Sequence, residues 1–252
     1  MLHVSVVTIL PEIFTGLNFG VTGRAISQEL LKISYYNPRD WAQNNHLQVD
    51  DKPYGGGPGM VMMYQPIHQA LLSAKKAMPN QTKVIYLSPR GKKITQKHLN
   101  NVIKNNESLI FLAGRYEGID ERVIQNDVDE EWSIGDFVLS GGEIAAMVFI
   151  DALARLIPGS LGNVGSSAHD SFMTGLLECP HYTRPAVIDD KKVPEVLLNG
   201  NHLAIERWRR KHSLGLTWLQ RPDLISALEL SANDKILLDE FLSENNHKNY
   251  HK

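Results

Sequence analysis

Over residues 1–158, short apolar runs rich in β-branched residues alternate with longer stretches of helical period. That alternation predicts an α/β fold, a mostly parallel sheet with helices on its faces. The clearest strands are expected at residues 4–9, 84–87 and 109–113, and the clearest helices at 66–77, 96–104 and 142–157. Ser140 stands three residues before Glu143, the spacing of a capping box, so the last of these helices is expected to begin there. Residues 159–168, GSLGNVGSSA, contain six Gly or Ser in ten and predict a flexible connector. The chain therefore divides into a first domain over 1–158, a linker over 159–169 and a second domain over 170–252. The second domain is expected to be small and helical, with signals at 203–211, 224–230 and 235–242 and no strand alternation among them. The final residues, ENNHKNYHK, have the composition of a frayed tail.

Composition narrows the class without naming a function. With 42% hydrophobic and 21% charged residues, disordered and fibrous classes drop out. A net charge of only -2 means that any nucleic-acid partner must be met by a local basic patch. The single cysteine, Cys179, excludes an intrachain disulfide framework and a cysteine-rich zinc site, and it fits a reducing cytoplasm. The opening MLHVSVVTILPEIF lacks a cationic start and a small-residue cleavage pattern, and no run approaches the ~18 apolar residues of a membrane span. It is expected to be a buried first strand, and no membrane partner is expected.

Open α/β sheets bind ligands in the loops that follow their strands. Ser88-Pro89-Arg90-Gly91 follows the predicted strand ending at Leu87, Gly114-Arg115-Tyr116-Glu117-Gly118 follows the one ending at Ala113, and Gly141-Gly142 opens a helix. Each alone reads as a tight turn; three together suggest backbone brought close to a ligand such as a purine edge. Neither a dinucleotide fingerprint nor a P-loop follows a strand. PYGGGPGM at 53–60 reads equally as a flap or as a hairpin loop. Taken alone, Arg155 reads as a cation at a helix C-terminus, Asp170 as a helix N-cap, and His181 as a hydrogen-bonded loop residue. No H-x-E or H-E-x-x-H spacing recruits a metal. RWRRKH at 207–212 packs four cations, a tryptophan and a histidine into under two helical turns, either a solvated face or an RNA backbone site.

In order, the blocks PYGGGPGM (53–60), LSPRG (87–91), AGRYEGID (113–120), IGDFVLSGGE (134–143), DSF (170–172), CPHYTRP (179–185) and GNHLAIERWRR (200–210) resemble the bacterial tRNA (guanine-N1) methyltransferase family, a branch of the knotted SPOUT methyltransferases. One departure is Ala145, where relatives often carry Pro; it removes no functional group. The resemblance implies a deep trefoil knot in the first domain, which general topology rules would make very improbable. It implies a homodimer with active sites at the interface. It implies S-adenosylmethionine held by Tyr86, Leu87, Ser88, Pro89, Gly91, Gly114, Tyr116, Glu117, Ile134, Gly135, Asp136, Phe137, Val138, Leu139, Gly141 and Gly142. The substrate implied is tRNA with guanosine at position 37, beside the anticodon and preceded by another guanosine. Arg207, Trp208, Arg209 and Arg210 would grip it, and the cellular consequence would be maintenance of the reading frame. Mg²⁺ dependence is implied too, with no dedicated cage in the sequence.

Guanine N1 becomes a good nucleophile only as its proton leaves, so a general base is required. Asp170 matches the family's base, although an ordinary aspartate, with pKa about 3.9, is weak for that task and each unit of mismatch costs about 1.4 kcal/mol. Arg155 matches the residue that stabilises charge growing on guanine O6, which would acidify N1.

Overall fold

The structure, a computed structural model, describes residues 1–79, 82–162 and 170–245. Residues 163–169 of the expected connector and 246–252 of the expected tail lie outside the described residues. The chain separates into two compact units, Met1–Val164 and Gly165–Lys252.

In the first unit the elements run β1 (Leu2–Val7), α1 (Gly20–Ser27), β2 (Leu31–Tyr36), β3 (Asp50–Asp51), β4 (Val61–Met62), α2 (Tyr64–Ala77), β5 (Thr82–Lys93), α3 (Gln96–Lys104), β6 (Ser108–Ala113), α4 (Glu121–Asp127), β7 (Glu130–Ser133) and α5 (Glu143–Leu156). Five strands form one parallel sheet in the order β2-β1-β6-β5-β7. Every residue of β6 is buried because the sheet is covered on both faces. Successive side chains point to opposite faces, so Leu109 and Phe111 join Phe149, Ile150 and Leu153 of α5 in one core, while Ile110 and Leu112 join Ile67 and Leu71 of α2 in the other. β5 alternates likewise, with Ile85 and Leu87 in the first core and Val84 and Tyr86 in the second.

Two strands of this sheet escape the sequence pattern for opposite reasons. β2, LKISYY, lies at the sheet edge and is largely half-buried, so it carries polar positions. β7, EEWS, is short and begins with two acids; Lys83 pairs with the first of them, Glu130. β5 runs well past its apolar run. It pairs with β7 at Leu87↔Trp132 and resumes at Lys92↔Trp132, so residues 88–91 are thrown out of the ladder beside a single position. A Cβ on Gly91 would lie 2.5 Å from the Trp132 backbone nitrogen and 2.6 Å from the Glu131 carbonyl carbon, which only glycine avoids.

The expected capping box is not formed. Helix α5 starts at Glu143 itself, its N-cap is Gly142, and no side chain caps it. Ser140 is exposed, while the Glu143 carboxylate is fully buried and turned to other partners. PYGGGPGM is the loop of the β3–β4 hairpin, the second of its two readings.

The second unit holds a two-residue-stranded hairpin, β8 (Val187–Ile188) with β9 (Lys191–Lys192), and helices α6 (His202–Gln220), α7 (Pro222–Ser226) and α8 (Ala232–Asn245). Strands this short cannot show alternation, which is why the sequence read as helix alone. The hairpin turns at Asp189 and Asp190, both at positive φ, the conformation a two-residue loop needs. Leu214 of α6 packs with Leu237 and Leu238 of α8 and with Leu176. Among the described residues no helix is long and apolar enough to cross a membrane.

Candidate cofactor cleft and basic helix

The three Gly-containing turns converge on one open cleft of about 250 Å³ in the first unit. All of the expected cofactor residues line it except Gly91 and Asp136. Gly91 is pressed against the β7 backbone instead, and Asp136 is turned outward to pair with Lys93. Arg115, Gly118, Trp132, Ser133, Ser140 and Ala145 line the cleft as well. Arg115 and Gly118 lie inside a block already singled out; Trp132 and Ser133 belong to the strand that the pattern missed.

Contacts between the turns fix the shape. The Gly142 N–H donates to the Gly114 carbonyl at 2.9 Å, and a Cβ on Gly142 would fall 2.8 Å from the Ala113 Cα, so the turn before α5 rests on the end of β6. The β3–β4 loop is tied in through its far end. The Glu117 N–H donates to the Met60 carbonyl at 3.0 Å and the Met62 N–H to the Gly118 carbonyl at 2.9 Å. Tyr116 sits at φ 61°, an unfavourable region for an aromatic residue, at the mouth of the cleft.

Beneath the cleft lies a buried charge. Glu143, 0% exposed, accepts from Thr8 Oγ1 at 3.0 Å and from Arg115 Nε at 3.0 Å. Burial pushes the Tyr86 phenol above its ordinary pKa, with nearby Arg90 opposing, so its hydroxyl stays protonated in the cleft wall.

This set fits a ligand carrying a purine and a positive charge. The backbone polar groups of Phe137, Val138 and Leu139 make no backbone hydrogen bonds among the described residues, which leaves an edge for a heterocycle to read. Leu87, Ile134 and Leu139 supply apolar wall, and Glu117 a carboxylate.

Arg155 occupies the last turn of α5, as its helix-end reading required. Asp170 begins a turn closed by the Met173 N–H on its carbonyl at 3.2 Å; no helix starts there, so the N-cap expectation fails. His181 contacts Glu178 at 3.4 Å in a loop. On α6, Arg207 donates to Glu240 at 2.5 Å and Arg210 grips Asp234 through two bonds of 2.8 and 2.9 Å. Trp208 stacks on His212 at 4.0 Å. Arg209 is exposed and makes no ion pair among the described residues.

The sequence profile of the family described as tRNA (Guanine-1)-methyltransferase TrmD matches residues 2–227. The chain belongs to this family. Similar proteins in it include one from Legionella pneumophila (strain Philadelphia 1), 63% identical over 243 residues, with 96% of this chain and 97% of the relative covered. Others come from Vibrio campbellii, 55% identical over 246 residues with 97% and 99% covered, and from Photobacterium profundum, 55% identical over 242 residues with 96% and 97% covered. Each relative carries the name tRNA (guanine-N(1)-)-methyltransferase. The family match spans all three turns of the cleft and the basic run of α6.

Proposed function

We propose that this chain transfers a methyl group from S-adenosylmethionine to N1 of guanosine 37 in tRNA, and so helps to maintain the reading frame. The observation that carries the reading is the cleft itself, in which the family's blocks from three separate stretches of sequence are brought to one place. When bound, S-adenosylmethionine supplies an electrophilic methyl group. Tyr86 to Pro89, Gly114, Tyr116, Glu117 and the 134–142 segment would hold it, with the backbone at 137–139 reading the purine edge.

The protein's own part is to move a proton and balance a charge. Asp170 accepts the N1 proton, and Arg155 offsets the negative charge that spreads to O6 as that proton leaves. A homodimer belongs to the reading, with the Asp170 of one subunit serving the cleft of the other. Support for a covered surface comes from the apolar side chains that the first unit leaves open, among them Val138 at 87% exposed and Phe137 at 54% in the cleft lining, and Ile144 and Val148 of α5 at 51% and 48%. The knot belongs to it as well, supported by residues 88–91 leaving the β5 ladder where β7 passes against Gly91. The magnesium ion implied by the family finds no cage here: among the described residues no group of three or more His, Cys, Asp or Glu could hold a metal ion. No step is assigned to it. The cytoplasm, where tRNA is found, is the location the reading requires.

The test is methyl transfer from labelled S-adenosylmethionine to a tRNA transcript with guanosines at positions 36 and 37. Label recovered as N1-methylguanosine, and lost both with Asp170→Ala and with adenosine at position 37, is the expected result. Label on a ribose would overturn the reaction assigned, and binding of both ligands without transfer would make the chain a silent RNA-binding member of the family.

A further inference from the structure

Residues 170–245 hold nine Lys or Arg against twelve Asp or Glu, so the second unit is acidic as a whole. One groove in it, of about 880 Å³, has no acid in its lining among the described residues. Its size falls within the ~300–1,000 Å³ of small-ligand sites. Residues 180–186 line it together with Trp208 and Arg209 of α6.

The cations in this lining are Arg184 and Arg209, and neither makes an ion pair among the described residues. The contrast with the rest of α6 is chemical. Arg207, Arg210 and Lys211 are neutralised by Glu240, Asp234 and Glu244 of α8, which leaves Arg209 as the member of the basic run turned to the groove. Glu178, beside the lining, is itself in contact with His181.

Two aromatic rings stand with these guanidiniums. Tyr182 is 51% exposed and lies 6.3 Å from Trp208 at 58°. Trp208 is backed by His212, stacked at 4.0 Å and 26°, and His212 is braced edge-on by Phe241 at 5.6 Å. Burial holds the His212 pKa below its ordinary value, so the stack behind the indole is uncharged near neutral pH. Uncommitted guanidiniums recognise phosphate and fixed aromatic faces recognise bases, and the two together are the chemistry of an unpaired nucleotide rather than of a duplex.

We propose that this groove holds an unpaired nucleotide of the tRNA other than the methylated guanosine, its base against Tyr182 and Trp208 and its flanking phosphates on Arg184 and Arg209. The proposal rests on the tRNA reading above and adds a second point of attachment outside the cofactor cleft.

The experiment compares the full-length protein with the Arg184→Gln/Arg209→Gln double variant, with Tyr182→Ala and with Tyr182→Phe. It measures affinity for the tRNA transcript across salt concentrations, together with S-adenosylmethionine affinity. Each lost phosphate contact lowers the slope of log affinity against log salt by about 0.7–0.9, so the double variant should flatten it by about 1.5. Tyr182→Ala should weaken tRNA binding about 5- to 150-fold with the slope unchanged, while Tyr182→Phe, which keeps the ring, should bind as the parent does. S-adenosylmethionine affinity should not move in any of them, and α6 hydrogen-exchange protection equal to the parent's reports that the second unit stays folded. If the parent binds and methylates tRNA but the double variant and Tyr182→Ala match it in affinity and slope, the groove assignment is overturned and the reaction stands. If the parent neither binds nor methylates tRNA, the functional reading fails and the groove proposal falls with it.

Discussion

Glu143 offers a sharp test of how the cofactor cleft is held. Its carboxylate is 0% exposed and bonded to Thr8 and Arg115, whereas Arg115 keeps 22% of its side chain in solvent. Breaking a buried ion pair costs about 3–5 kcal/mol because one charge is left uncompensated, and the size depends on which charge remains. In Glu143→Ala the charge left is Arg115, which water can reach, and Thr8 Oγ1 still accepts from the Leu10 N–H at 3.0 Å. The loss should therefore sit near the lower end, about 3 kcal/mol, or about 6–12 °C in the melting temperature of a unit this size. Arg115→Ala leaves the deeply buried carboxylate unpaired and should cost more, toward about 5 kcal/mol. Thr8→Val removes a hydrogen bond to the buried carboxylate and the acceptor of the Leu10 N–H, and should cost about 1.5–3 kcal/mol. Hydrogen exchange at the β6 amides, in the middle of the sheet, reads the stability of this unit directly. Because Arg115 also lines the cleft, S-adenosylmethionine affinity measured by calorimetry should fall in both charge variants and hold in Thr8→Val. A Glu143→Ala protein within about 0.5 kcal/mol of the parent, or an Arg115→Ala protein more stable than Glu143→Ala, would refute the reasoning.

Arg155→Ala and Asp170→Ala should each reduce turnover far more than cofactor affinity, read by single-turnover methyl transfer beside calorimetry; equal losses in both measurements would remove their assigned roles. Gly91→Ala should abolish or cripple folding of the first unit, since its Cβ would meet Trp132 and Glu131 backbone rather than a movable side chain, and soluble yield with β6 exchange would report it. In the second unit the bond from Arg210 holds the Asp234 carboxyl below its ordinary pKa. Its stabilisation is present above the ordinary value of about 3.9 and disappears as pH falls through the lowered folded value, so Asp234→Asn should cost stability at pH 7 and flatten the acid side of the α6 hydrogen-exchange profile.

What the sequence reveals and what it hides divide along a physical line. The pattern of apolar residues marks elements buried on two faces, and β6, with every residue inside, begins within one residue of its expected start. It fails where burial is one-sided or partial, as in β2 at the sheet edge, and where a strand is carried by neighbours' charges rather than its own apolar residues, as in β7. Glu143 shows a subtler failure. Its distance from Ser140 fits a local capping box, and locally that is the better reading, but a side chain at the head of a helix can also turn inward, and here Thr8 and Arg115, remote in sequence, capture it.

The same limit applies to charge. RWRRKH is one basic run in the sequence, yet in the fold it is sorted residue by residue: Arg207, Arg210 and Lys211 are paired across α8, and Arg209 is turned to the acid-free groove. A charge count would assign all of them to RNA, whereas an ion pair to a neighbouring helix already satisfies most of what a phosphate would offer. Affinity for a polyanion should then follow Arg209, the one member of the run that makes no ion pair among the described residues, and Arg184 in the same groove, which lies in a separate stretch of sequence and becomes legible as a binding residue only when the fold brings it there.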